Sequence, residues 1–217
     1  MITERQGDIL NRIVEEYIGL AKPVSSQWLE KKHKFGLSCA TLRNEMQQLT
    51  EKGFLCQPHT SAGRVPTDKG YRFFVNEALE KEAGEFSQVF DQTWDIHALT
   101  RFLAEESSNL ALGYFAEEKI LWKEGWREIF QAPEFNQVGY AIKFVKVLED
   151  LEKNINNIVK DSPSEIHIYI GRENPFSKTN DFSIITAGTF AILGPKRMDY
   201  HKNINLIDSI VKWMSKI

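Results

Sequence analysis

The stretch Phe35-Gly36-Leu37-Ser38-Cys39-Ala40-Thr41-Leu42-Arg43-Asn44-Glu45-Met46-Gln47-Gln48-Leu49-Thr50-Glu51-Lys52-Gly53 is bounded by helix punctuation at both ends. Gly36 suits a left-handed stop, Ser38 is an N-cap residue and Gly53 is a terminator, so a helix is expected from Cys39 to about Lys52. At about 100 degrees per residue, Leu42, Met46 and Leu49 fall on one face. Ala40, Arg43, Asn44 and Gln47 fall on the opposite face, flanked by Thr41 and Gln48. A face chosen only for solubility is usually rich in Glu and Lys, and this one holds amides, a guanidinium, a hydroxyl and a small Ala. Such groups pair with base edges, Arg with guanine and Asn or Gln with adenine, while Ala lets a helix approach the groove. The composition is that of a recognition helix.

Outward from this helix, the N-terminal side opens with Thr3-Glu4-Arg5-Gln6, a capping-box pattern. Ile9, Leu10, Ile13, Val14, Tyr17 and Ile18 then recur at helical steps, giving a first helix to about Gly19. Leu20 to Val24, containing Pro23, reads as a connection. Ser25 or Ser26 caps a second helix through about Lys34 that buries Trp28 and Leu29. On the C-terminal side, Phe54 to Gln57 is strand-like, His59 to Gly63 is turn-rich, and Arg64-Val65-Pro66 returns as a second strand. Thr67 or Asp68 caps a further helix with Tyr71, Phe74, Val75, Ala78 and Leu79 inward. Helix, helix, turn, helix, hairpin is the order of a winged helix-turn-helix. The hairpin tip of His59, Thr60, Ser61, Gly63 and Arg64 is small, polar and cationic, fit to lie along phosphates, with Lys69 and Arg72 just beyond it.

The chain has 217 residues, 42% hydrophobic and 26% charged, with a formal net charge of -3. This is ordinary globular composition with room for two domains. The acidic total argues against nucleic acid until it is divided. Residues 1 to 76 carry 11 Lys+Arg against 8 Asp+Glu, or +3, which leaves 16 against 22, or -6, for the rest. No apolar run approaches the roughly 18 residues of a membrane span, and Met1-Ile2-Thr3-Glu4-Arg5 lacks a secretory core, so a cytoplasmic protein is expected. Cys39 and Cys56 have neither zinc-site nor disulfide-framework spacing. His97, His167 and His201 lack ligand-spaced neighbours, and there is no phosphate loop or nucleophile elbow, so neither metal, cofactor nor enzyme activity is expected.

Hydrophobic content drops between about Lys81 and Asp91. The division expected is a winged-helix domain over 1–84, a helical connector over 85–108, and a mixed α/β domain with a mainly antiparallel sheet over 109–217, an α+β chain overall. In the last part, Leu110 to Phe115 and Lys119 to Trp122 read as paired strands. Gly125 to Phe130 reads as a helix. A long helix from Phe135 to Val159 is expected to bury Val138, Ile142, Val145, Leu148 and Leu151. Ile166, Ile168 and Ile170 alternate as in a strand, two more strands follow at Ser183 to Ala187 and Thr189 to Leu193, and a helix runs from about Met198 to Met214. Gly171-Arg172-Glu173-Asn174-Pro175 is read first as turn chemistry and second as a pocket lining.

The segments Leu37 to Met46 and Gly53 to Arg72 closely resemble the HrcA family of bacterial heat-inducible transcription repressors. Ala132-Pro133-Glu134-Phe135, Tyr169 to Pro175 and Leu193 to Tyr200 carry a second set of resemblances to that family. The resemblance implies a winged-helix domain, a GAF-like α/β domain, and a homodimer that binds an inverted-repeat operator called CIRCE ahead of chaperone genes. It also implies tuning by the GroE chaperonin. The recognition role falls to Ser38 through Gln48 and the wing role to Pro58 through Val65. Relative to the family pattern the chain is short, lacking the inserted dimerisation region, and Cys39 stands where Pro is usual. Two other readings remain open: a metabolite-sensing winged-helix regulator of other genes, and a winged fold used as a protein-docking module.

Overall fold

The computed structural model describes residues 2–80, 94–160, 165–175, 177 and 180–215. The chain divides into two compact units, Met1–Lys81 and Glu82–Ile217. The hydrophobicity drop expected from Lys81 to Asp91 lies outside the described residues. No helix among them is long and apolar enough to cross a membrane.

In the first unit, α1 (Glu4–Leu20) starts at the capping box: the Thr3 hydroxyl accepts from the Gln6 amide and the Gln6 side chain accepts from the Thr3 amide. Its stripe of Ile9, Leu10, Ile13 and Val14 is fully buried. Next come α2 (Ser26–Lys32), capped by Ser25, and α3 (Cys39–Glu51), capped by Ser38. Leu29 on α2 is buried with Leu42, Met46 and Leu49 on α3, and α1 packs against α3 and α4 (Asp68–Glu80). The short antiparallel strands β1 (Leu55–Cys56) and β2 (Val65–Pro66) precede α4.

Two inward assignments in this unit are corrected. Trp28 is 40% exposed, because its indole N–H donates to Glu16 at 2.8 Å and the ring is held at the surface. Leu79, near the end of α4, is also exposed. Glu16 is itself buried and gathers Trp28, Lys32 (2.9 Å) and His33 (2.8 Å), fastening α1 to α2. Burial pushes its carboxyl up, but hydrogen bonds from Lys32, Trp28 and His33 outweigh that and hold it below the ordinary value of 4.5.

The second unit is built on a five-stranded antiparallel sheet of order β4-β3-β7-β6-β5. Its strands are β3 (Leu110–Phe115), β4 (Ile120–Glu124), β5 (His167–Ile170), β6 (Phe182–Ala187) and β7 (Phe190–Pro195). The central strands β3, β6 and β7 are buried almost throughout. They must therefore be covered on both faces. α5 (Ile96–Ser107) precedes the first of these strands, α6 (Trp126–Ile129) and α7 (Val138–Lys160) run between β4 and β5, and α8 (Tyr200–Met214) follows β7. On one face Leu110, Leu112, Phe182, Ile184 and Leu193 meet Phe144, Val147, Leu148 and Leu151 of α7. Side chains alternate along a strand, and a Cβ on Gly113 would point at Thr100 of α5, so α5 covers the opposite face, with α8 packed against it. The chain is α+β.

This layering bears on two more expectations. Of the helical connector expected over 85–108, α5 buries Leu99, Leu103 and Ala104 on the sheet and falls in the second unit, while 85–93 lie outside the described residues. On α7, Val138, Ile142 and Val145 are exposed and the inward stripe is Phe144, Val147, Leu148, Leu151 and Ile155. α7 has apolar residues on two sides, and the sheet selects the one with the aromatic ring. Gly171–Glu173 forms a single 3-10 turn closed by the Glu173 side chain on the Ile170 amide. Ala132-Pro133-Glu134-Phe135 meets the Leu193 to Tyr200 segment through an ion pair between Glu134 and Arg197.

Candidate nucleic-acid interface

α3 is oriented by its ends and its buried face. The Ser38 hydroxyl accepts from the Thr41 amide and lies 3.0 Å from the Thr41 hydroxyl, so both side chains serve the helix start. Glu30 of α2 accepts from the Cys39 amide, and Ser26 Oγ lies 3.2 Å from Cys39 Sγ, which ties the turn between the two helices. Leu42, Glu45, Met46 and Leu49 face inward. Ala40, Arg43, Asn44 and Gln47 are exposed, as helical spacing requires.

Within that outward face the side chains differ in freedom. Arg43 and Asn44 make no hydrogen bond or ion pair among the described residues. Gln47 is held at both ends: its oxygen accepts from Arg64 at 2.9 Å and its amide donates to Glu51 at 3.1 Å. Gln48, grouped with the base-facing set from sequence, turns toward α1. It accepts from Gln6, whose amide also bonds the buried Glu45 carboxylate, and Arg5 reaches the same carboxylate. A residue at the flank of a helix face is decided by which neighbour offers a partner, and here α1 does.

The hairpin is fixed to this helix and to the chain ahead of α2. Arg64 spans to Thr50 Oγ1 (3.0 Å) and to Gln47. Its backbone exchanges two hydrogen bonds with Val24, at 2.8 and 2.9 Å, so Val24 is a third strand position beside β2. Gly63 permits this approach, since a Cβ there would lie 2.3 Å from the Val24 carbonyl oxygen. Gln57 donates to the carbonyls of Thr60 and Ala62 and shapes the tip. His59, Thr60 and Ser61 are exposed on it. A cleft of about 380 Å³ opens between the start of α2, α3 and the hairpin, lined by Ser25, Ser26, Arg43, Gln57, Thr60 and Ser61 among others. Arg43 and the tip thus share one concave surface.

Lys69 and Arg72 do not join it. Lys69 donates to the Lys52 carbonyl at 2.8 Å and lies over the Phe54 ring, which satisfies the end of α3. Arg72 is half-buried on α4. Sequence reasoning missed Val24 and Gln57. A single paired residue has no periodicity to detect, although the extended bias of a β-branched residue after Pro23 is compatible with its pairing.

A family model described as the HrcA protein C-terminal domain matches residues 71–204. The chain belongs to the HrcA family. Among curated HrcA relatives, the "Heat-inducible transcription repressor HrcA" of Thermoanaerobacter pseudethanolicus is 25% identical over an alignment of 333 positions that covers all of this chain and 97% of the relative. The protein of the same name from Oceanobacillus iheyensis is 27% identical, covering 97% of this chain and 95% of its own length. That from Brevibacillus brevis is 50% identical over 96 residues, 42% of this chain and 28% of the relative. An alignment of 333 positions against 217 residues leaves the Thermoanaerobacter protein with long stretches that have no counterpart here. A solved structure described as a hypothetical protein at 2.2 Å resolution shares the fold, with TM-score 0.81 at 18% identity, covering 100% of this chain and 98% of that one.

Proposed function

We propose that this HrcA-family chain is a sequence-specific DNA-binding repressor of heat-shock genes, reading an inverted-repeat operator of the CIRCE type as a homodimer. The first unit acts as a winged helix-turn-helix: α3 enters the major groove and the hairpin lies along the flanking backbone. The second unit is the GAF-like domain that brings two copies together. The name that the relatives carry supports the repressor role. The observation that carries the DNA reading is the unengaged pair Arg43 and Asn44 on the exposed face of α3, beside a hairpin tip of free polar groups. An unpaired guanidinium and an unpaired amide on one exposed helix face are two bidentate partners for base edges, Arg for guanine and Asn for adenine.

The remaining roles follow from the bonds each residue makes. Ala40 allows close approach and Thr41 and Ser38 present hydroxyls at the helix start. His59, Thr60 and Ser61 contact phosphate or groove. Gln47 reads bases only after its bonds to Arg64 and Glu51 rearrange, and Arg64 acts first through holding it. One recognition helix covers few base pairs, so specificity sufficient for repression requires two-fold reading. The test is a mobility-shift titration on fragments from chaperone promoters across a salt series. A salt-sensitive shift on those fragments, competed by an inverted repeat and not by scrambled sequence, is the expected result. A shift confined to unrelated promoters favours a metabolite-sensing regulator, and no shift on any fragment favours a protein-docking module.

A further inference from the structure

Three of the chain's five tryptophans, Trp94, Trp122 and Trp213, line a single cleft of about 490 Å³ in the second unit. They come from separate places: the residue two before α5, the edge strand β4, and the last turn of α8. Phe115 adds a fourth ring. None of the three indoles belongs to the α7 core cluster. The volume falls within the range of small-molecule sites, about 300 to 1,000 Å³.

Among the described residues of the cleft's lining the carboxylates are Asp95 and Glu118, His97 is the one titratable base, and there is no Lys or Arg. Asp95 spends one oxygen capping α5 on the Ala98 amide. Glu118 is exposed and makes no hydrogen bond or ion pair among the described residues. His97 in the wall is stacked on Trp122 at 4.0 Å between ring centroids and bonded to Glu124 at 2.7 Å. Arg101 reaches that histidine at 3.4 Å but is not part of the lining. Indole faces carry negative quadrupole potential, so rings and carboxylates here favour the same kind of guest. An anion meets repulsion from Asp95 and Glu118, and a neutral apolar guest desolvates Glu118 without pairing it.

We propose that this cleft binds a small organic cation of the alkylammonium class, held among the rings of Trp94, Trp122 and Trp213 and by the carboxylate of Glu118. This goes beyond DNA reading and stands independently of it. The full-length protein is titrated with choline and with 3,3-dimethylbutan-1-ol, which has the same shape and no charge, following tryptophan fluorescence and calorimetric heat. Choline gives a saturable signal and the alcohol binds at least about tenfold more weakly. Glu118→Gln weakens choline about three- to fivefold and leaves the alcohol unchanged. Trp213→Ala, at a partly exposed position in the last turn of α8, weakens choline at least about tenfold, with circular dichroism and thermal midpoint checking that the fold is kept. Equal affinity for the two compounds, no saturation by choline at about 50 mM, or a Glu118→Gln protein that binds choline as well as the wild type overturns the proposal.

Discussion

Arg43 and Asn44 lack neighbours to hold them and Gln47 has two, so identical exposure on α3 translates into different readiness to meet a base. Arg43→Ala is expected to cost about 1 to 3 kcal/mol of discrimination at one base pair and to relax preference there, measured by competition among operator variants. Asn44→Ala should do the same at an adjacent position. Arg64→Ala has a mixed signature, weakening binding to all sequences and also blurring the position read by Gln47, because the guanidinium that orients Gln47 is gone. Uniform loss with the Gln47 position unaffected would assign Arg64 to phosphate alone. Gln48→Ala should leave base preference unchanged, since its side chain is spent on Gln6.

The contacts between elements have their own tests. Glu16 joins α1 to α2, and its folded pKa lies below the ordinary 4.5. A depressed carboxyl contributes stability that is complete above the unfolded value and is lost as pH falls through the folded one. Glu16→Gln is therefore expected to cost about 1 to 2 kcal/mol at pH 7 and less below pH 4, read from denaturant midpoints at both pH values. An equal loss at both would show that the charge is not what fastens the helices. The hairpin depends on its pairing with Val24. Gly63→Ala places a methyl against the Val24 carbonyl, a backbone atom unable to rotate away, and should cost about 1 to 3 kcal/mol of stability. Amide exchange at Val24 and Arg64, whose N–H groups each donate to the other's carbonyl, should accelerate in that variant.

For the molecule as a whole, the acidic total conceals a basic head and an acidic body, so a whole-chain isoelectric argument points the wrong way about DNA. Each phosphate neutralised contributes about -0.9 to the slope of log affinity against log salt. For the proposed two-fold reading, with at least one phosphate neutralised by each copy, the expected slope is about -1.8 or steeper. Mass measured by light scattering at micromolar concentration is expected to be twice the chain mass. A strict monomer at operator-saturating concentration would exclude two-fold reading.

Much of the fold is local enough to be written in residue order. The Thr3 and Ser38 caps, the stripe of α1, the inward and outward faces of α3, and the strands β3, β6 and β7 all follow from propensity and period. So does the exposure of Arg43 and Asn44, because a helix that buries Leu42, Met46 and Leu49 must turn them outward. What sequence left open are choices among equivalent surfaces. α7 offers two apolar stripes, and only the sheet beneath it separates Phe144 and Val147 from the exposed Val138 and Ile142. Trp28 belongs to the surface because Glu16, twelve residues earlier, accepts its N–H. Gln48, Arg64 and Lys69 look unengaged in the sequence, and only packing brings Gln6, Gln47 and the end of α3 beside them as partners. Period and propensity act within a turn or two of chain, whereas the partner that satisfies a long polar side chain is supplied by another element, and its identity exists only once the elements have packed.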